Sequence, residues 1–243
     1  MTDGSFIHYS ILIVQKFNGV DVNPTQLLIE KLQQKSSKLK PELDDIVLEV
    51  LPVAVDKVDK FHENLPDDGL CFIHLGVNGS GTSIQLEKVA YNNMDFRCPD
   101  ESGYTPQKTA IIADEGLDAP LSSILPLDDI ANELAEEGFN CTVSEDPGRF
   151  LCNYVYYRSL QKQKNSVFIH VPHLTVVDLD TQLECIEKAV KKIYMYTRLA
   201  NAAFGEIKQE DPTMLNWKTR NYIVKKFISQ LSDEEREQSG PWK

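Results

Sequence analysis

The 243-residue chain lacks any apolar run approaching the roughly 20 residues needed to cross a bilayer. Met1–Phe17 places no basic segment before a long apolar stretch, so neither a membrane span nor a signal peptide is expected. Positive charge is scarce as well: 25 Lys and Arg face 37 Asp and Glu, a formal net charge of -12. That balance argues against nucleic acid and anionic membrane as partners, since both need a cationic face. Cysteine is sparse, with five residues and no CxxC pair, so no disulfide framework is expected and a reducing, cytoplasmic compartment fits. The five histidines form no HExxH and no Cys/His cluster with ligand spacing. His170 and His173 are three apart, but Pro172 between them argues against a shared helical face, and no metal site is expected.

What is present is an alternation of short apolar runs and helical periodicities, which predicts an α/β fold rather than segregated layers. Strands are expected at Ile11–Val14, Val47–Val53, Leu70–Leu75, Ile84–Tyr91, Cys141–Val143 and Val167–Val171. Asn23-Pro24 offers a cap followed by proline at the first helical position. Further helices are expected through Val55, Val58 and Phe61, from Leu127 to a stop at Gly138, and over Leu151–Leu160. Thr181 with Glu184 reads as a capping box for a long helix with the stripe Leu183, Ile186, Val190 and Ile193. Residues 201–243 hold seven basic and seven acidic residues, so the whole net charge sits in residues 1–200. Val224, Phe227, Ile228 and Leu231 there have the spacing of one amphipathic helix, and the division expected is 1–200 and a 201–243 extension.

Three side chains stand out chemically. Cys152 follows Pro147-Gly148-Arg149 at an expected helix start, where free N–H groups and the helix dipole favour a thiolate; a small buried apolar role is the alternative. His170 ends an apolar strand, where it either faces a ligand crevice or is a satisfied core histidine. Glu87 reads as an ordinary solvated carboxylate when taken alone. Together, thiol, imidazole and carboxylate are what an activated cysteine nucleophile requires. The glycine-rich stretch Gly76-Val77-Asn78-Gly79-Ser80-Gly81 is neither a P-loop nor GxGxxG, and its glycines are expected to turn the backbone at a strand's carboxyl end.

Asp146-Pro147-Gly148-Arg149-Phe150-Leu151-Cys152-Asn153-Tyr154 resembles the nucleophile motif of the type I pyroglutamyl peptidases, also called pyrrolidone-carboxylate peptidases. Phe168-Ile169-His170-Val171-Pro172 resembles the histidine motif of that family, and His74-Leu75-Gly76-Val77 with Leu86-Glu87-Lys88-Val89-Ala90-Tyr91-Asn92 its glutamate motif. Arg97-Cys98-Pro99-Asp100 resembles a further family segment, and the similarity runs in the family's order over about residues 9–200. The resemblance implies an α/β three-layer sandwich of the phosphorylase/hydrolase-like kind, with a twisted mixed central sheet flanked by helices. It implies an enzyme, a cysteine-type omega peptidase that removes N-terminal pyroglutamate from peptides. Cys152 would be the nucleophile, His170 the proton carrier and Glu87 its orienting partner. Phe17, Asn23, Arg97 and Leu151 would contact substrate, and no metal or organic cofactor is needed.

One segment departs from the family pattern of Gly-Phe-x-Pro-Phe. Phe17 and Asn23-Pro24-Thr25 match, while ungapped counting puts Val14 at the first aromatic and Lys16 at the proline. An aromatic slot suits a flat neutral lactam, so losing one wall weakens selection for the ring, or Lys16 points to solvent and another side chain fills the gap. The competing function is therefore a catalytically weak or inactive relative that binds peptides or a protein partner. The sequence leaves the oligomeric state open.

Overall fold

The computed structural model describes residues 8–12, 24–39, 47–64 and 71–207. In chain order the elements are β1 (His8–Leu12), α1 (Pro24–Leu39), β2 (Val47–Leu51), α2 (Val55–Glu63), β3 (Ile73–Val77), β4 (Ile84–Glu87), β5 (Val89–Tyr91), β6 (Pro120–Ser122), α3 (Leu127–Glu136), β7 (Cys141–Ser144), α4 (Leu151–Lys162), β8 (Val167–Val171) and α5 (Leu179–Ile207). Four strands form the central sheet in the order β3-β8-β4-β7, and the parallel pair β1–β2 lies alongside β3. The sheet is mixed, because β4 runs antiparallel to β8 while β3–β8 and β4–β7 are parallel.

β8 is buried along its whole length, as its unbroken apolar run requires. Its alternation divides the core in two. Val167, Ile169 and Val171 join Leu28 of α1, Ile130 of α3 and Ile186 of α5 on one face. Phe168 joins Val58 of α2 and Val155 and Tyr156 of α4 on the other. Helices therefore cover both faces of the sheet, giving the three layers expected. No helix among the described residues is long and apolar enough to cross a membrane.

Several boundaries differ from the sequence reading. The first strand is described over His8–Leu12, which contains Ile11 and Leu12 of the expected Ile11–Val14; the second ends at Leu51, and the third is Ile73–Val77 rather than Leu70–Leu75. The expected strand Ile84–Tyr91 is two strands in different sheets. Lys88 is where the chain changes sheets: its N–H donates to Ser144 O (2.7 Å), while its carbonyl accepts from Ser123 N (3.0 Å). The long helix starts at Leu179, and its cap is Asp178 rather than Thr181. The Asp178 carboxylate accepts from Asp180 N (3.1 Å) and Thr181 N (3.0 Å), and the Thr181 hydroxyl donates to it (2.7 Å). Gly138 has φ +94 beyond α3, the conformation that favours glycine there. Phe17, Asn23, Val14, Lys16 and the helix expected around Val224–Leu231 lie outside the described residues.

Buried polar side chains pin the irregular segment between β5 and β6. Fully buried Asn92 accepts from Ile112 N (2.8 Å) and donates to the carbonyls of Ile112, Glu115 and Gly116. Asp100 accepts from Ser102 N (2.9 Å) and Tyr104 N (2.8 Å), and from Val55 N (2.9 Å), which caps α2 from a distant part of the chain.

A second polar cluster lies between α2, β3 and α4: His74 Nε2 is 2.7 Å from Ser159 Oγ, which is 3.5 Å from His62 Nε2. Burial, reinforced by the positive charges of Arg158 and Lys162, pushes the His62 imidazole down from 6.5 to about 3. The folded state then binds fewer protons than the unfolded state, so this stabilisation is complete above pH 6.5 and is lost as pH falls toward 3. Chemical denaturation across that window should show His62→Phe losing less stability on acidification than the wild type, by up to roughly 1.4 kcal/mol per pH unit. Equal slopes for the two proteins would contradict this.

Candidate active site

Cys152 is the second residue of α4, and its position is fixed from both sides. Before it, Gly148 takes φ +79, its N–H donating to Asp146 Oδ1 (3.1 Å). Arg149 donates to Asp146 (2.7 Å) and Asp118 (3.1 Å), and its guanidinium lies 4.0 Å from the centre of the Tyr91 ring. After it, fully buried Asn153 accepts from Tyr91 N (2.8 Å) and donates to the carbonyls of Tyr91 (2.8 Å) and Asn93 (2.9 Å). The end of β5 is thereby sewn to the first turn of α4. Phe150, the N-cap residue, provides no side-chain cap. The N–H groups of Leu151, Cys152 and Asn153 have no main-chain acceptor among the described residues. These orphan donors, with the helix dipole behind them, form an anion-favouring corner beside the thiol.

His170 and Glu87 come from neighbouring strands. Glu87 pairs with Phe168 in the antiparallel register, so His170, two residues further on, shares its face of the sheet. His170 Nδ1 and Glu87 Oε1 are 2.7 Å apart, with only 6% and 1% of the two residues exposed. The Tyr156 hydroxyl donates to the Glu87 main-chain carbonyl (2.7 Å), and the Phe168 ring lies 4.6 Å from the imidazole. Burial disfavours the imidazolium, but hydrogen bonds to Cys152 and Glu87 and the negative charge of both outweigh it, raising His170 from 6.5 to about 9. Glu87 and His170 therefore form a buried pair, and Cys152 is near enough to act on the same imidazole.

Gly76 of β3 is part of this arrangement for a reason of space. A Cβ there would lie 2.6 Å from Phe168 Cζ and 3.3 Å from Cys152 Sγ. Gly76 itself sits within β3, while Gly79 and Gly81 lie in the turn that follows the strand's carboxyl end, closed by Gly81 N–H donating to Asn78 O (3.0 Å), with no positive φ at any of the three. Leu151 is wholly buried in the core beneath α4. Arg97 is exposed on the segment after β5, and no hydrogen bond among the described residues joins it to the three. Of the other cysteines, Cys71, Cys141 and Cys185 are buried in the opposite core, where burial pushes the Cys71 thiol up to about 12. Among the described residues no group of three His, Cys, Asp or Glu is placed to hold a metal ion. Sequence alone assigns Asn92, Asn153 and Arg149 no individual role. The signal available was a run of amides and one cation beside a candidate nucleophile, groups that must be satisfied when buried.

The family model described as "Pyroglutamyl peptidase" matches residues 10–200. The chain belongs to the pyroglutamyl peptidase family. It is 28% identical over 202 residues to the pyrrolidone-carboxylate peptidase of Fusobacterium nucleatum, covering 79% of this chain and 92% of that one. It is 31% identical over 170 residues to that of Pyrococcus furiosus, covering 66% and 78%. The solved pyrrolidone carboxyl peptidase from Thermococcus litoralis superposes with a TM-score of 0.65 at 26% identity, covering 86% of this chain and 99% of that one. As a member of this family the protein is a peptidase, a hydrolase of peptide bonds, on a three-layer α/β fold. Its buried imidazole should be visible directly. In an NMR titration the His170 ring should stay protonated through neutral pH and lose its proton at about 9, and Glu87→Gln should move that transition downward. A wild-type transition at or below the ordinary 6.5 would contradict the charge arrangement.

Proposed function

We propose that the protein is a cysteine-type omega peptidase that removes an N-terminal pyroglutamyl residue from peptides, with Cys152 as nucleophile, His170 as proton carrier and Glu87 as its orienting partner. The observation that carries this reading is the buried imidazole held by the Glu87 carboxylate at 2.7 Å, its charge supported by Cys152 as well. A pyroglutamyl N-terminus is an uncharged lactam, whereas an ordinary N-terminus is an ammonium. A site this deeply buried, with Phe168 beside the imidazole and buried Leu151 next to the thiol, favours the former, because desolvating an unpaired cation is costly. Phe17, Asn23, Arg97 and Leu151 remain the residues proposed to contact substrate. Residues 1–200 form the catalytic unit in this proposal, residues 201–243 an extension, and the cytoplasm the compartment.

In the reaction, His170 holds the proton of Cys152, and the sulfur attacks the carbonyl carbon linking the lactam to residue two. The carbonyl oxygen takes the negative charge, facing the free N–H groups at the start of α4; one such donor is worth about 2.7–4 kcal/mol to the transition state. His170 delivers its proton to the departing nitrogen and the C–N bond breaks, leaving a thioester on Cys152. Water then gives a proton to His170 and attacks the thioester. Pyroglutamic acid leaves, and the thiolate–imidazolium pair is restored. Glu87 keeps the ring oriented and supports its charge throughout.

Cys152→Ser tests this, since a hydroxyl lacks the acidity and nucleophilicity of the thiol. Hydrolysis of pyroglutamyl p-nitroanilide should fall by more than about a thousandfold with the melting temperature essentially unchanged. Turnover within tenfold of wild type would overturn the mechanism.

A further inference from the structure

Gln85 of β4 stands directly opposite His170 in the antiparallel register. Residues so opposed project to the same face, with Cβ atoms about 4.5–5.5 Å apart. Ile84 and Leu86 go to the other face, into the core beneath α1, α3 and α5, while Glu87 on Gln85's face reaches His170 Nδ1. Gln85 is half-buried where Glu87 is buried, so it lies level with the imidazole and nearer the surface.

The orientation of its amide is set by its neighbours. Ser80 N–H, which can only donate, lies 3.2 Å from Asn78 Oδ1, and the Ser80 hydroxyl donates to the same oxygen at 3.0 Å. Asn78 Oδ1 is therefore the acceptor, and Asn78 Nδ2 donates to Gln85 Oε1 at 2.9 Å. The chain Ser80→Asn78→Gln85 ends on the Gln85 amino group, whose hydrogens meet no acceptor among the described residues. A neutral donor suits this position. A cation there would repel the imidazolium, and a carboxylate would compete with Glu87 for it.

We propose that Gln85, aligned by Asn78, donates from Nε2 to the main-chain carbonyl of substrate residue two. This rests on the pyroglutamyl-peptidase reading above: His170 protonates the departing nitrogen, so residue two lies against the imidazole, and its carbonyl is one Cα removed from that nitrogen. Such a contact reads main chain rather than side chain, so it favours peptide leaving groups whatever residue follows the lactam.

The test compares kcat/KM for pyroglutamyl-alanine amide with that for pyroglutamyl p-nitroanilide, whose leaving group has no such carbonyl. In Gln85→Leu the ratio of peptide to anilide should fall by about threefold to tenfold, the worth of one neutral hydrogen bond. Asn78→Ala, which lets the Gln85 amide rotate, should lower it less. An unchanged ratio in folded Gln85→Leu overturns the proposal while leaving the peptidase reading intact; should that variant not fold, an unchanged ratio in Asn78→Ala overturns it equally. Wild-type protein that cleaves neither substrate overturns the parent reading, and this one with it.

Discussion

A carboxylate and an imidazole held 2.7 Å apart with almost no access to water are costly to bury singly and tolerable only as a pair. Much of the sheet's architecture serves that pairing. Were β4 to slip by one residue against β8, Glu87 would swing to the opposite face and leave His170 facing the apolar interior alone. The mixed topology supplies the register: β4 is held antiparallel to β8 on one side and parallel to β7 on the other. The Tyr156 hydroxyl then fastens the Glu87 main chain to α4, the helix that carries Cys152, so strand and helix cannot shift independently.

The thiol's side of the site depends on a different kind of constraint. Asn153 replaces a stretch of regular pairing by bonding to Tyr91 and Asn93, and Arg149 is clamped by two carboxylates and the Tyr91 ring. Both act immediately beside Cys152, and both leave the first turn of α4 uncapped by any side chain. A capping Ser or Asp would satisfy those N–H groups and stabilise the helix, but it would also occupy donors that the proposed reaction uses for the oxyanion. Local helix stability and chemistry are opposed here, and the surrounding amide bonds hold the turn in place instead.

Much of the fold was legible in the sequence because its signals are local. The apolar run Val167–Val171, the stripe through Leu183, Ile186 and Ile193, and the stop at Gly138 each report an environment within a few residues. The departures come from non-local partners. Nothing near Lys88 signals that its N–H and carbonyl belong to different strands, and Thr181 is a plausible cap until Asp178 is seen to hold both its N–H and its hydroxyl. In the site, Cys152 and His170 were legible from local context as candidates, whereas Glu87 looked solvated until the β4–β8 register buried it. Gly76 shows the same limit, since its need for glycine comes from Phe168 and Cys152, both far away in the chain.

The proposed mechanism has His170 take the proton of Cys152 under the influence of Glu87, and the rate of Cys152 alkylation by iodoacetamide as a function of pH tests that most directly. Wild-type protein should be alkylated at Cys152 rapidly at neutral pH, and His170→Ala should react slowly there and approach the wild-type rate only in alkaline solution, with Glu87→Gln between them. Alkylation of Cys152 at the same rate and with the same pH profile in wild type and His170→Ala would contradict the account.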